Sequence, residues 1–140
     1  MIALAMMITL TTSAFAGKEK VKPEILEAFK NQFASAQEVT WLVGSNYYKA
    51  AFTCNGAWMF AFYNTEAEFL GTVRHISSTQ LPFYLQSNLK KNYARYWITD
   101  LFELSNEEGT RYYITLQDAD QKIVLRSGYG SGWEVYYKKS

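Results

Sequence analysis

The sequence predicts an α+β domain with helices packed on one face of a mostly antiparallel sheet, laid out as a tandem repeat of helix plus β-meander. Three observations carry this reading. A helix signal followed by strand-like runs spans about 23–76, and a second series of the same kind spans about 80–138. Asn55-Gly56 stands between two alternating, aromatic-rich runs, a pattern typical of a tight hairpin. No low-complexity segment or long linker separates the halves, so 17–140 reads as one domain.

Residues 1–16, MIALAMMITLTTSAFA, read as a signal peptide. Ile2 to Leu10 form a short apolar core, and Ala14-Phe15-Ala16 before Gly17 fits a small-x-small cleavage site. The run is too short to span a bilayer, which takes roughly 20 apolar residues. It lacks an opening Lys or Arg, so a short retained helix or a mis-assigned start is the other reading. Export to the periplasm or beyond is the expected location, with no membrane insertion once the segment is gone.

Pro23 to Phe33 carries the first helix. Pro23 suits the first helical position, and Glu24 and Glu27 favour the positive end of the helix dipole. Ile25, Leu26, Phe29 and Phe33 fall on one stripe. Gln37 to Val43 follows as a strand with Val39 and Trp41 on one side, and Gly44-Ser45-Asn46 turns the chain. Tyr47–Cys54 and Ala57–Tyr63 flank Asn55-Gly56, and Glu68–Ile76 adds a further strand.

Leu81-Pro82-Phe83-Tyr84-Leu85 opens the second helix, and Leu89 and Tyr93 continue its apolar stripe. Ile98–Ser105 and Thr110–Gln117 form a hairpin around Asn106-Glu107-Glu108-Gly109. Lys122–Arg126 and Trp133–Tyr137 complete the second meander. Glu108-Gly109 takes the place that Asn55-Gly56 holds in the first half.

Several spacings resemble those of a known family. Phe29-x3-Phe33-x5-Val39-x-Trp41, then Tyr48-x-Ala50-x-Phe52, the Asn-Gly hairpin and Leu81-Pro82 together resemble the PepSY-like proteins. These are small exported bacterial proteins related in fold to the β-lactamase inhibitory protein. The resemblance covers roughly Pro23 to Arg126. It departs from the family pattern at Ala34, where proline is common, and at Asn64-Thr65-Glu66-Ala67, which replaces an Asp-x-x-Gly turn. It implies a tandem helix-plus-sheet fold, a cell-envelope location and a binding or inhibitory role, with no catalytic residues to carry over.

Composition narrows function further. All 14 basic and 13 acidic residues follow Ala16, leaving a net charge of +1. That balance gives no electrostatic footprint for nucleic acid or an acidic membrane. The basic run 90–95 reads as the solvated end of a helix. Cys54, the only cysteine, excludes an intramolecular disulfide and a zinc site with two thiolates. His75 is the only histidine, and a triad there needs an acid from elsewhere in the chain.

Asp118-Ala119-Asp120 lacks the further oxygens of a calcium loop and reads as a turn. Gly128-Tyr129-Gly130-Ser131-Gly132 leads into a strand, with no helix N-terminus to hold a phosphate. Glu66 with Glu68, and Glu107 with Glu108, fall in turns where solvent keeps them ordinary. No cofactor, metal site or catalytic residue is expected.

The hairpin supplies the candidate surface. A two-residue loop at Asn55-Gly56 pairs Phe52 with Met59, Ala50 with Ala61 and Tyr48 with Tyr63, and this face goes beneath the helix. The opposite face then displays Tyr47, Lys49, Trp58, Phe60 and Phe62. So many large rings there exceed what scattered surface apolarity requires. The expected function is a non-enzymatic binding module that inhibits or senses an envelope or secreted protein through this face. The alternative is a carrier whose rings line a pocket for a lipid, aromatic compound or glycan.

Overall fold

The computed structural model describes residues 15–16, 20–128 and 131–140. The expected leader therefore lies outside the described residues except at Phe15 and Ala16, and so does the middle of the glycine-rich turn. Among the described residues the architecture is α+β, with two α-helices and mostly antiparallel strands. The chain divides into two compact units after Thr72.

The first unit holds β1 (Phe15–Ala16), α1 (Pro23–Gln32), β2 (Gln37–Val43), β3 (Tyr47–Cys54), β4 (Ala57–Asn64) and the start of β5 (Phe69–His75). Pro23 opens α1, where its missing N–H costs nothing, and Lys30 sits in the last turn against the negative end of the dipole. Ile25 and Phe29 of α1 pack against Trp41, Tyr48, Ala50, Phe52, Ala61 and Tyr63, with Leu26 and Phe33 closing the rim. Ala50 and Ala61 face each other across the hairpin and are fully buried, so the helix comes close to the sheet at that point.

The β3–β4 register follows from its turn. Asn55 at φ 52° and Gly56 at φ 81° occupy the left-handed region, as a type I′ loop requires. Every partner from Tyr47↔Asn64 to Cys54↔Ala57 pairs as the two-residue loop dictates. Cys54 is half-buried against the rim of this core.

The turn from β4 to β5 is built without glycine. Asn64 Oδ1 accepts from the backbone N–H groups of Glu66 and Glu68, and Ala67 takes φ 65°. A residue with a Cβ is strained there by roughly 1 kcal/mol relative to glycine. The side-chain caps from Asn64 offset part of that strain.

Tyr63 is the most deeply placed polar side chain of this unit. Its hydroxyl donates to Gln32 Oε1 at 2.9 Å, and burial pushes its pKa up from 10.0 to about 12. The neutral phenol is therefore the form the fold favours. Its contribution is intact below pH 10 and is lost as pH rises from 10 towards 12. We expect Tyr63→Phe to flatten the fall in stability between those limits. Denaturant unfolding at successive alkaline pH values reads this directly, and an unchanged slope would place the alkaline loss elsewhere.

The second unit holds the end of β5, a 3₁₀ turn (Ser78–Gln80), α2 (Phe83–Asn92), β6 (Trp97–Asn106), β7 (Gly109–Gln117), β8 (Lys122–Gly128) and β9 (Ser131–Lys139). Ser77 and Gln80 form a capping box ahead of the helix. Leu81 and Leu85 pack on Leu101, Ile114, Leu116, Ile123 and Leu125, with Leu89 and Tyr93 at the edge. Trp133 Nε1 donates to the Leu85 carbonyl at 3.1 Å and ties β9 to α2. β8 and β9 run further towards the glycine-rich turn than the pattern of side chains predicts.

Three sequence expectations are corrected here. Val39 does not share the inner side with Trp41: a bulge between Gln37 and Thr40, with Glu38 at φ 55°, turns Val39 to solvent. The β6–β7 loop is Glu107-Glu108, closed by Asn106 opposite Gly109, so the equivalence with Asn55-Gly56 shifts by one residue. Asn106 Oδ1 holds the Glu108 N–H, and the left-handed φ falls on Gly109. Alternation along 111–117 sets Tyr112, Ile114 and Leu116 inward and Tyr113 towards solvent, but Tyr113 is buried on the side away from α2.

Candidate binding face

Ladder pairing places Thr40, Leu42, Tyr47, Lys49, Ala51, Thr53, Trp58, Phe60 and Phe62 on the side of β2–β4 away from α1. All five candidate residues lie there, but their exposure is graded. Trp58, beside the hairpin loop, is 55% exposed, and Lys49 and Phe60 are half-buried. Tyr47 and Phe62 are 7% and 1% exposed, which corrects the expectation that they are displayed.

The strand pattern assigns a side chain to a face but says nothing about what closes over it. Part of the closure is local. Tyr47 and Phe62 meet at a tilt, 6.1 Å between ring centroids, and the Tyr47 ring lies over Gly44, where any side chain would collide with it. The Gly44 N–H also donates to the Tyr47 carbonyl at 2.8 Å, holding the turn beneath the ring.

Lys49 is the one charge on these ladder positions. Its Nζ lies 4.4 Å from the centroid of Phe60 and 6.0 Å from that of Phe62. Burial lowers the pKa of its ammonium. The ring faces compensate in part, since a cation over an aromatic ring gains about 0.5–2 kcal/mol depending on desolvation.

The second unit carries its own aromatic cluster away from α2, which sequence reasoning missed. Phe102 and Tyr113 stack at 5.1 Å with planes 12° apart, and Tyr136 meets Tyr113 edge-on at 5.5 Å. Arg126 lies 5.1 Å over Tyr136 and bonds Glu134 Oε1 through Nε at 2.7 Å. The bond to Glu134 is the main reason its guanidinium pKa is raised. The available signal was register: a two-residue loop at Glu107-Glu108 places Phe102 opposite Tyr113.

His75 Nε2 lies 3.2 Å from Asp100 Oδ1, so the fold supplies the acid that the local sequence lacked. The Ser77 hydroxyl, however, is engaged by Thr79 and Gln80. Asp118 Oδ1 accepts from the Asp120 and Gln121 N–H groups, which lowers its pKa and marks a side-chain-capped turn. Among the described residues no three His, Cys, Asp or Glu side chains cluster to hold a metal ion. Among them, too, no helix is long and apolar enough to cross a membrane.

No protein-family model matches this chain, and no curated protein matches it in sequence. Solved structures do match. A BLIP-like protein from Bacteroides fragilis NCTC 9343 superposes with a TM-score of 0.72 at 21% identity, covering 89% of this chain and 91% of its own. A DUF2874 family protein from Bacteroides ovatus ATCC 8483 gives a TM-score of 0.74 at 17% identity, covering 86% and 88%. A chain from Bacteroides eggerthii DSM 20697, named among "putative periplasmic proteins", gives 0.72 at 14%, covering 85% and 88%. The chain therefore has the BLIP-like fold, and at these identities the likeness extends to fold alone.

Proposed function

We propose that this chain is an exported, non-enzymatic binding module of PepSY-like kind, built as two helix-plus-meander halves, which inhibits or senses an envelope or secreted protein. The observation that carries the reading is Trp58. It stands exposed on the side of the hairpin that α1 does not use, the face that also carries half-buried Phe60 and Lys49. A largely exposed tryptophan beside a two-residue hairpin loop has the character of a binding anchor. Export is supported by the apolar 1–16 segment and by the name of the B. eggerthii neighbour.

The carrier alternative needs the rings to part and line a cavity. Tyr47 and Phe62 instead pack on each other and over Gly44, which favours a flat contact surface. Trp58→Ser should leave the far-ultraviolet circular dichroism unchanged and abolish capture of an envelope protein that the wild-type chain retains. Unfolding of Trp58→Ser would assign the ring to the core and remove the basis for the proposal.

A further inference from the structure

The charges around the two aromatic clusters are balanced differently. In the second unit Arg126 lies over a ring and also has a carboxylate, Glu134. Arg74 likewise pairs with Glu103 at 3.2 Å. In the first unit Lys49 has rings but no acid. Among the described residues no ion pair joins Nζ to a carboxylate, and no acidic side chain occupies the β2–β4 ladder positions of its face. Its pKa is lowered by burial.

A half-buried ammonium has lost hydration, and the quadrupole of a ring returns only part of what an anion would. The Nζ lies closer to Phe60 than to its direct partner Phe62, and so leans along the face towards exposed Trp58. We propose that Lys49 is a carboxylate-binding subsite: the partner lays a peptide segment across β3–β4, with an Asp or Glu side chain on Lys49 and apolar neighbours against Trp58 and Phe60. This deepens the binding-face proposal and rests on it. A carboxylate arriving there meets a cation already held over Phe60, so little further ordering is required of the lysine. It also gives the face a sign, since a basic segment is repelled where an acidic one is drawn in.

The test is selection of a displayed library of random short peptides on the whole chain, followed by binding of the selected sequences as synthetic peptides. Peptides enriched on the wild type should carry Asp or Glu beside an aliphatic or aromatic residue. Replacing that acid by its amide should weaken binding about tenfold, and Lys49→Met should weaken the acidic peptide by a similar factor. On Lys49→Met the amide replacement should then cost nothing further, which isolates the pair from its surroundings. Lys49→Arg should restore most of the affinity.

Peptides without an acid, or amide variants that bind as well as their parents, would overturn the subsite. The controls separate the two levels. Loss on Trp58→Ser without loss on Lys49→Met leaves the face standing and removes the carboxylate subsite. Indifference to both substitutions, or no enrichment at all, removes both.

Discussion

Phe52→Ala is expected to lower the free energy of unfolding by about 3–5 kcal/mol, the range for removing a fully buried ring from a packed core. Phe52 is completely buried beneath α1. Its ring meets Phe29 edge-on at 5.1 Å and Phe33 at 5.0 Å, and Phe29 in turn meets Trp41 at 5.3 Å. Cutting it to a methyl group removes transfer free energy and leaves a void beside the rings of Phe29 and Phe33. Native domains hold only about 5–15 kcal/mol in reserve, so this variant is close to unfolding on its own. Chemical denaturation followed by circular dichroism measures the change. A loss below about 1 kcal/mol would mean that the aromatic knot under α1 is not as tightly packed as its geometry shows.

Leu85→Ala should cost about 2–5 kcal/mol in the second unit, whereas Phe83→Ala, two residues earlier on the same helix, should change stability by no more than about 0.5 kcal/mol. Leu85 is fully buried among Leu101, Ile114, Leu116 and Leu125, and its carbonyl receives the Trp133 indole N–H. Phe83 is 82% exposed at the first turn. The pair inverts the naive ranking by side-chain size: the smaller residue matters because water never reaches it. Denaturation midpoints of the two variants decide the matter, and comparable losses would show that the first turn of α2 is buried in solution.

Where sequence specified geometry and where it did not can be traced to individual residues. Asn55-Gly56 has one low-energy way to reverse an antiparallel pair, so the register and the two faces of β3–β4 were legible before any coordinates. The helical stripe Ile25, Phe29, Phe33 was legible for the same kind of reason, a period that only one element satisfies. Bulges were not legible. Glu38 in β2 and the irregularity between Ile98 and Asp100 in β6 carry no glycine or proline to announce them, yet the first turns Val39 outward.

Glu108-Gly109 misled because a glycine beside an acid suggests a loop centre, whereas Gly109 sits just after the bend. The deepest limit concerns the candidate face itself. Alternation told which side of the sheet Tyr47 and Phe62 occupy, but burial depends on residues distant in sequence and on the ring-sized opening above Gly44. Trp58 stays accessible beside the hairpin loop, and Lys49, directly opposite buried Phe62, is half-buried. For that reason the surface that survives is a gradient from wet to dry and not a uniform aromatic sheet.

The unequal placement of the four tryptophans gives the molecule its own optical probe. Trp41 is sealed in the interior, Trp133 is partly covered, and Trp58 and Trp97 face water. Emission from Trp41 reports whether the interior is intact, and the wet indole at the hairpin tip shifts towards the blue only when something settles on it. Cohesion of the scaffold and occupancy of its receptive side can thus be followed as separate colours of one fluorescence spectrum, without a dye.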